Sequence, residues 1–149
     1  MKATELMIGD LVCYSKANNW VTKVEAVTNP GQTFISDVYG IKCYRTKDDP
    51  LYEKAPIDFF NVDILHPIPL TVEILKSNGF EKKGHRYGIY DDYFDFEMYE
   101  YNDGTWLVSY HCCEMSLPDE QVLIFHVHQL QHFMRHCAID KVLNLNPET

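Results

Sequence analysis

The order of apolar and polar positions divides the chain into short extended runs, with helical spacing in only two places. Residues 11–14 form an apolar run introduced by Gly9 and Asp10 and turned back at Asn18 and Asn19. Over residues 20–27 the pattern alternates, with Val21, Lys23 and Glu25 on one face and Trp20, Thr22, Val24 and Ala26 on the other. A period of two is the signature of a strand. Asn29, Pro30 and Gly31 make a turn, because proline presets φ and glycine accepts a positive φ. Further strands are predicted over 33–38 and 41–45. A polar loop then runs over 46–56, through Asp48, Asp49 and Pro50, and order resumes over 59–65.

In the second half, Pro67 and Pro69 push the residues before them out of the α region and make an extended connector. Thr71 is a good helix N-cap, with Glu73 facing the positive helix end and Asn78 and Gly79 as the stop. A hairpin follows, with arms over 80–83 and 86–90 around Gly84 and His85. Phe94, Phe96 and Met98 then alternate with Asp95, Glu97 and Tyr99, which predicts a half-buried strand with the first set inward. Asn102, Asp103 and Gly104 turn the chain back into Trp106, Val108 and Tyr110. The tail predicts a buried strand over 122–125, a helix over 127–137 and an edge strand over 141–145.

These elements define an α+β fold. Residues 1–67 are expected to form a small SH3-like β-barrel or meander. Residues 68–149 are expected to form an antiparallel sheet with a short helix and a C-terminal packing helix, as a second subdomain or part of one shared core. At 149 residues, 46% hydrophobic and 23% charged, the chain can bury a core without a metal or disulfide. No apolar run approaches the roughly 20 residues that span a bilayer. Residues 1–5 lead into the pattern without an apolar signal core, so the expected location is the cytoplasm. Five cysteines, Cys13, Cys43, Cys112, Cys113 and Cys137, are odd in number and lack Cys-x-x-Cys spacing, which argues against a disulfide framework or a zinc ribbon.

The formal net charge is −9. Such a surface repels a polyanion, so nucleic acid is disfavoured as a partner. The tyrosines add a positive suggestion. Tyr93, Tyr99 and Tyr101 fall in phase with Asp95 and Glu97, and an acidic, tyrosine-rich sheet face suits a protein partner. Cross-strand tyrosine packing on an exposed face is the plainer account of the same pattern.

The C-terminal helix gathers Val127, Leu130, Phe133, Met134, Cys137 and Ala138 on one side and His128, His132 and His136 on the other. Histidines at i and i+4 can hold zinc, and residues 128–132 approach the H-E-x-x-H pattern of metalloproteases. However, Gln129 stands where the general base belongs, and an amide cannot take a proton from water. His128 and His136 also lie about 12 Å apart along the axis, too far to share one ion. A metal on His128 and His132 is therefore the alternative, and an outward, solvated stripe is the expectation.

Other candidates fall away quickly. Residues 79–84 have P-loop glycine spacing, but His85 and Arg86 replace the Lys-Ser/Thr pair. Ser109 lacks the nucleophile-elbow glycines. Asp91, Asp92 and Asp95 lack the twelve-residue calcium-loop pattern. A thiolate paired with a histidine, such as Cys113, is conceivable chemistry with no motif behind it.

Several segments carry a family resemblance. They are Met1, Lys2, Ala3, Thr4, Glu5 and Leu6 with residues 8–12; residues 65–71 with Ile74, Leu75, Gly79 and Phe80; and Val127, His128, Gln129, Leu130 and Gln131. Together, and in this order, they resemble a family of small uncharacterised proteins from Bacteroides-type gut bacteria and their phages or mobile elements. The resemblance implies shared positions at His128, Leu130 and Gln131, but not at His132 and His136, and it implies no activity, cofactor or catalytic residue. The expected function is a non-enzymatic binding or accessory protein of phage or mobile-element origin, acting by protein–protein contact through His128, Gln131, Tyr93, Tyr99 and Tyr101. A second copy of the chain is among the candidate partners, and no cofactor or membrane is expected. The alternative is a metal-dependent or thiol enzyme using the His/Cys-rich C-terminal region.

Overall fold

A computed structural model describes residues 5–15, 20–28, 40–45, 49–102, 104–112 and 120–145. It divides the chain into two compact units, Met1–Ile68 and Pro69–Thr149.

The N-terminal unit is an antiparallel sheet of β1 (Leu11–Ser15), β2 (Trp20–Thr28), β3 (Gly40–Tyr44) and β4 (Ile57–Asn61), in that spatial order. Its inward positions bury Val12, Tyr14, Val24, Ile41, Cys43, Phe60 and Leu65 in one cluster, with Trp20 packed against it. This is the meander of the sequence analysis, but it is an open sheet and not a barrel. Closing a barrel requires a hydrogen-bonded ladder between first and last strands. Among the described residues no such ladder joins β1 to β4, and β1 carries an isolated bridge between Cys13 and His66 instead. The predicted strand over 33–38 and the turn at Asn29 to Gly31 lie outside the described residues.

The polar run before β4 is anchored by one arginine. Arg45 pairs with Asp49 at 2.8 Å and with Asp58 at 2.5 Å, and its guanidinium lies 5.1 Å from the Phe60 ring centre. Asp49 is buried and also accepts from the Tyr14 hydroxyl and the Leu51 N–H. Burial alone would raise its carboxyl, but the Leu51 N–H, Arg45 and Tyr14 outweigh it and hold Asp49 below the usual carboxylate range.

The C-terminal unit begins with α1 (Val72–Ser77), whose first turn is capped by Thr71 accepting from the Ile74 N–H. Five antiparallel strands follow in sequence order: β5 (Glu81–Lys83), β6 (Arg86–Tyr90), β7 (Phe94–Asn102), β8 (Thr105–Cys112) and β9 (Glu120–Ile124). The chain ends in α2 (Val127–His136). Phe96 and Met98 are fully buried and Phe94 half-buried, so the alternation in β7 has the expected phase. Across the ladder, Met98 stands opposite Val108, and Trp106 opposite Ile124. The helix completes this core with Leu130, Phe133 and Met134, and the Phe96 and Phe133 rings meet at 5.9 Å. At Gly88 a Cβ would lie 2.6 Å from the Phe96 carbonyl oxygen, so only glycine lets β6 and β7 approach this closely.

Two expectations are corrected here. Residues 122–125 do not form a buried strand: Ile124 is buried, but Val122, Leu123 and Phe125 are 41%, 48% and 46% exposed. The run is the outermost strand of its sheet, and an apolar run alone does not say whether a second neighbour exists. Residues 141–145 are not a strand. This segment is held by side chains instead, with Asn78 donating to the Asn144 carbonyl and accepting from its N–H at 2.7 and 2.6 Å, and Leu143 buried.

Candidate functional site: the open face and free edge of the C-terminal sheet

Among the described residues, helix α2 covers one face of the five-stranded sheet and no element packs on the other. The pairing of β7 with β8 places Asp95 beside His111, Glu97 beside Ser109 and Tyr99 beside Leu107 on the open face. Gln121 and Leu123 extend it across β9. Tyr99 is half-buried there, while Tyr93, in the turn before β7, and Tyr101 are exposed. A bulge between Glu100 and Asn102 interrupts the alternation where Tyr101 falls, and no ring contact links the three tyrosines among the described residues.

The centre of this face is less acidic than its sequence. Glu97 is ion-paired with Arg86 and accepts from the Tyr90 hydroxyl at 3.3 Å. The Lys83 ammonium lies 3.2 Å from the Tyr90 ring centre. Burial, followed by the charge of Glu97, raises the Tyr90 hydroxyl above its ordinary range. The carboxylate is thus matched within the sheet, and a hollow of about 300 Å³ beside it is lined by Asp95, Tyr99 and His111.

The histidine stripe of α2 is also graded differently from expectation. His128 and Gln131 are buried at 4% and 8% exposure, His132 is half-buried and His136 is exposed. The reading of the whole stripe as an outward, solvated face is therefore corrected at His128. Its ring stacks on His126 at 5.6 Å and meets His132 edge-on at 5.9 Å. Gln129 has a structural explanation: its Oε1 accepts from the Phe125 and His126 N–H groups at 2.9 and 3.1 Å, closing the first turn of the helix. Among the described residues, no group of three or more His, Cys, Asp or Glu is placed to hold a metal ion.

Among the described cysteines, Cys137, at the C-terminal end of α2, is half-buried. Cys13 and Cys43 are buried. Burial, with Glu25 adding to it against the Thr22 hydrogen bond, pushes the Cys43 thiol up to about 12, which leaves it protonated and poorly nucleophilic. Thiol labelling read by peptide mass spectrometry should modify Cys43 only after unfolding. Native-state labelling of Cys43 as fast as that of a small-molecule thiol would contradict its burial. The Cys112 side chain and all of Cys113 lie outside the described residues.

The feature that sequence reasoning missed is the free edge. The opposite edge strand, β5, is three residues long, reads Glu-Lys-Lys and is guarded by charge. By contrast, β9 presents Val122 and Leu123 together with a row of backbone groups that, among the described residues, have a strand partner on one side only. Just past its end, Leu70 N–H donates to Phe125 O at 3.1 Å. Between β9 and α2 runs a groove of about 330 Å³, with Val122, Ile124 and Phe133 as its apolar lining and Gln129, His132 and His136 as its polar wall. A terminal strand in a hairpin meander is an edge by topology, and that signal could have flagged β9.

No helix among the described residues is long and apolar enough to cross a membrane. Comparison of the chain with protein-family models, with curated proteins and with solved structures finds no match.

Proposed function

We propose that this is a non-enzymatic protein-binding module, an accessory protein of phage or mobile-element origin that works in the cytoplasm by adding an extended segment of a partner protein to β9. The observation that carries the reading is that an edge strand exposes both of its central apolar side chains, Val122 and Leu123, beside an open groove. An unguarded edge is a template for main-chain pairing, and alternate side chains of the added strand then drop into the adjoining groove. Tyr99, Leu107 and Leu123 extend the contact surface over the open face. Tyr93 and Tyr101 lie at its margin, while the burial of His128 and Gln131 suits a supporting role. The net charge of −9 speaks against a nucleic-acid partner.

The test is site-specific photo-crosslinking in host cells, with the photoreactive residue at 123 and, as a control on the guarded edge, at 82. A discrete adduct from position 123, absent from position 82 and lost in Val122→Lys, is the expected result. Equal adducts from both edges, or none from 123, would overturn the reading.

A further inference from the structure

Asn78 and Gly79 end α1, and each is required there for its own reason. Gly79 sits at φ +71°, which glycine adopts without steric cost, and its N–H donates to the Lys76 carbonyl at 3.0 Å. Asn78 is buried, and its side-chain amide clasps residues 141–145 to the helix. Its Nδ2 donates to the Ile74 carbonyl at 2.8 Å and to the Asn144 carbonyl at 2.7 Å, while its Oδ1 accepts from the Asn144 N–H at 2.6 Å. Beside the clasp Leu143 is buried, and the Lys141 ammonium lies 5.6 Å from the Phe80 ring centre. The same two residues form the chain's one Asn-Gly dipeptide. Asn-Gly is the sequence most prone to lose side-chain ammonia, because glycine has no side chain to shield its nitrogen from the neighbouring amide carbon.

We infer that Asn78 is a deamidation site guarded by residues 141–145, and that its reaction releases this segment irreversibly. In that reaction the Gly79 nitrogen attacks Asn78 Cγ. The new N–Cγ bond closes a succinimide ring, the Gly79 N–H proton passes to solvent base, and the side-chain nitrogen leaves as ammonia. Water then adds to one of the two ring carbonyls and opens the ring to isoaspartate or aspartate. One water is consumed, one ammonia is released and nothing is oxidised or reduced. In the folded protein both reacting groups are engaged, the Gly79 N–H with Lys76 and the Asn78 amide with Ile74 and Asn144. The reaction therefore waits for local opening of the segment. Once it has occurred, the clasp cannot reform. An aspartate at 78 offers no donor to the Ile74 and Asn144 carbonyls and sets a carboxylate oxygen against them. An isoaspartate lengthens the main chain by a methylene and carries the carboxylate out of register.

The experiment ages the full chain in mildly alkaline buffer, folded and in urea, and follows Asn78 by peptide mass spectrometry through its mass gain and isoaspartate content. Asn78 should react readily in urea and at least about tenfold more slowly in the folded protein. Leu143→Ala, still showing a cooperative unfolding transition, should speed the folded-state reaction by about tenfold or more, because it removes packing that holds the segment down. Release is read by trypsin, which cuts after Lys141. Aged wild-type protein, with its deamidated fraction separated by the added negative charge, supplies the product without relying on a variant to fold. That fraction should be cut after Lys141 about tenfold faster than the intact chain, with cutting after Arg135, inside α2, unchanged. Equal reaction folded and in urea, no reaction in urea, or no acceleration in Leu143→Ala would overturn the guarded site. Unchanged cutting after Lys141, or an equal rise after Arg135, would overturn release of the segment.

Discussion

Replacing Trp106 by alanine should cost the C-terminal unit about 3–5 kcal/mol, the usual penalty for deleting a fully buried large aromatic side chain. Trp106 is 1% exposed and meets the edge of Tyr87 at 6.0 Å. Its indole N–H donates to the Leu70 carbonyl at 3.1 Å, tying the segment before α1 to the sheet. Truncation therefore opens a cavity and also leaves a buried carbonyl without its donor. Trp106→Phe separates the two effects, because it retains most of the ring but still orphans the carbonyl, at about 1–3 kcal/mol. The ordering Ala above Phe above wild type should appear in urea unfolding followed by circular dichroism. A cost below about 1 kcal/mol for Trp106→Ala would place the residue outside the core. The chain has two tryptophans, and the other, Trp20, lies in the N-terminal unit. In the Trp106 variants its fluorescence reports that unit alone and shows whether the damage stays local.

Much of the C-terminal unit was legible because its signals are local. The alternation through Phe94, Phe96 and Met98, the Thr71 cap and the side of α2 carrying Val127, Leu130, Phe133 and Met134 each depend on residues a few positions apart and stand where expected. Ala138, counted to that side, instead lies past the helix end, exposed and at a positive φ. What failed to show depends on distant neighbours. Residues 122–125 are apolar whether or not another strand lies beside them, so their exposure was invisible. In the N-terminal unit, strand order is a meander in both an open sheet and a small barrel, and only a ladder between the ends distinguishes them.

His128 shows a third kind of limit. A helical projection places it only about 20° from Arg135, seven residues further on. Yet His128 is buried and Arg135 is exposed. The first turn of α2 is enclosed on sides that are open two turns later, so burial there depends on depth along the axis as well as on angle. A projection keeps only the angle. The same enclosure moves the candidate contact surface away from His128 and Gln131, toward His132, His136 and the strand beside them.

The packing of that helix leads to the second large effect. Leu130 is fully buried and Met134, one turn on, is 1% exposed. Truncating either to alanine should cost about 2–5 kcal/mol, and Leu130→Ala should be the worse of the two. Leucine is branched and stiff, so its neighbours are shaped around it and relax poorly into the space it leaves. Methionine is flexible and fills irregular gaps, and its surroundings tolerate change more readily. The control is the other side of the same helix, where His136→Ala should stay within about 0.5 kcal/mol, as surface substitutions do. Thermal unfolding resolves these differences, since about 1 kcal/mol moves the midpoint of a unit this size by roughly 4–8 °C. If His136→Ala shifts the midpoint as far as Leu130→Ala does, the helix is packed through its histidine side. The groove beside β9 would then be closed to any partner, and the proposed binding mode would fail with it.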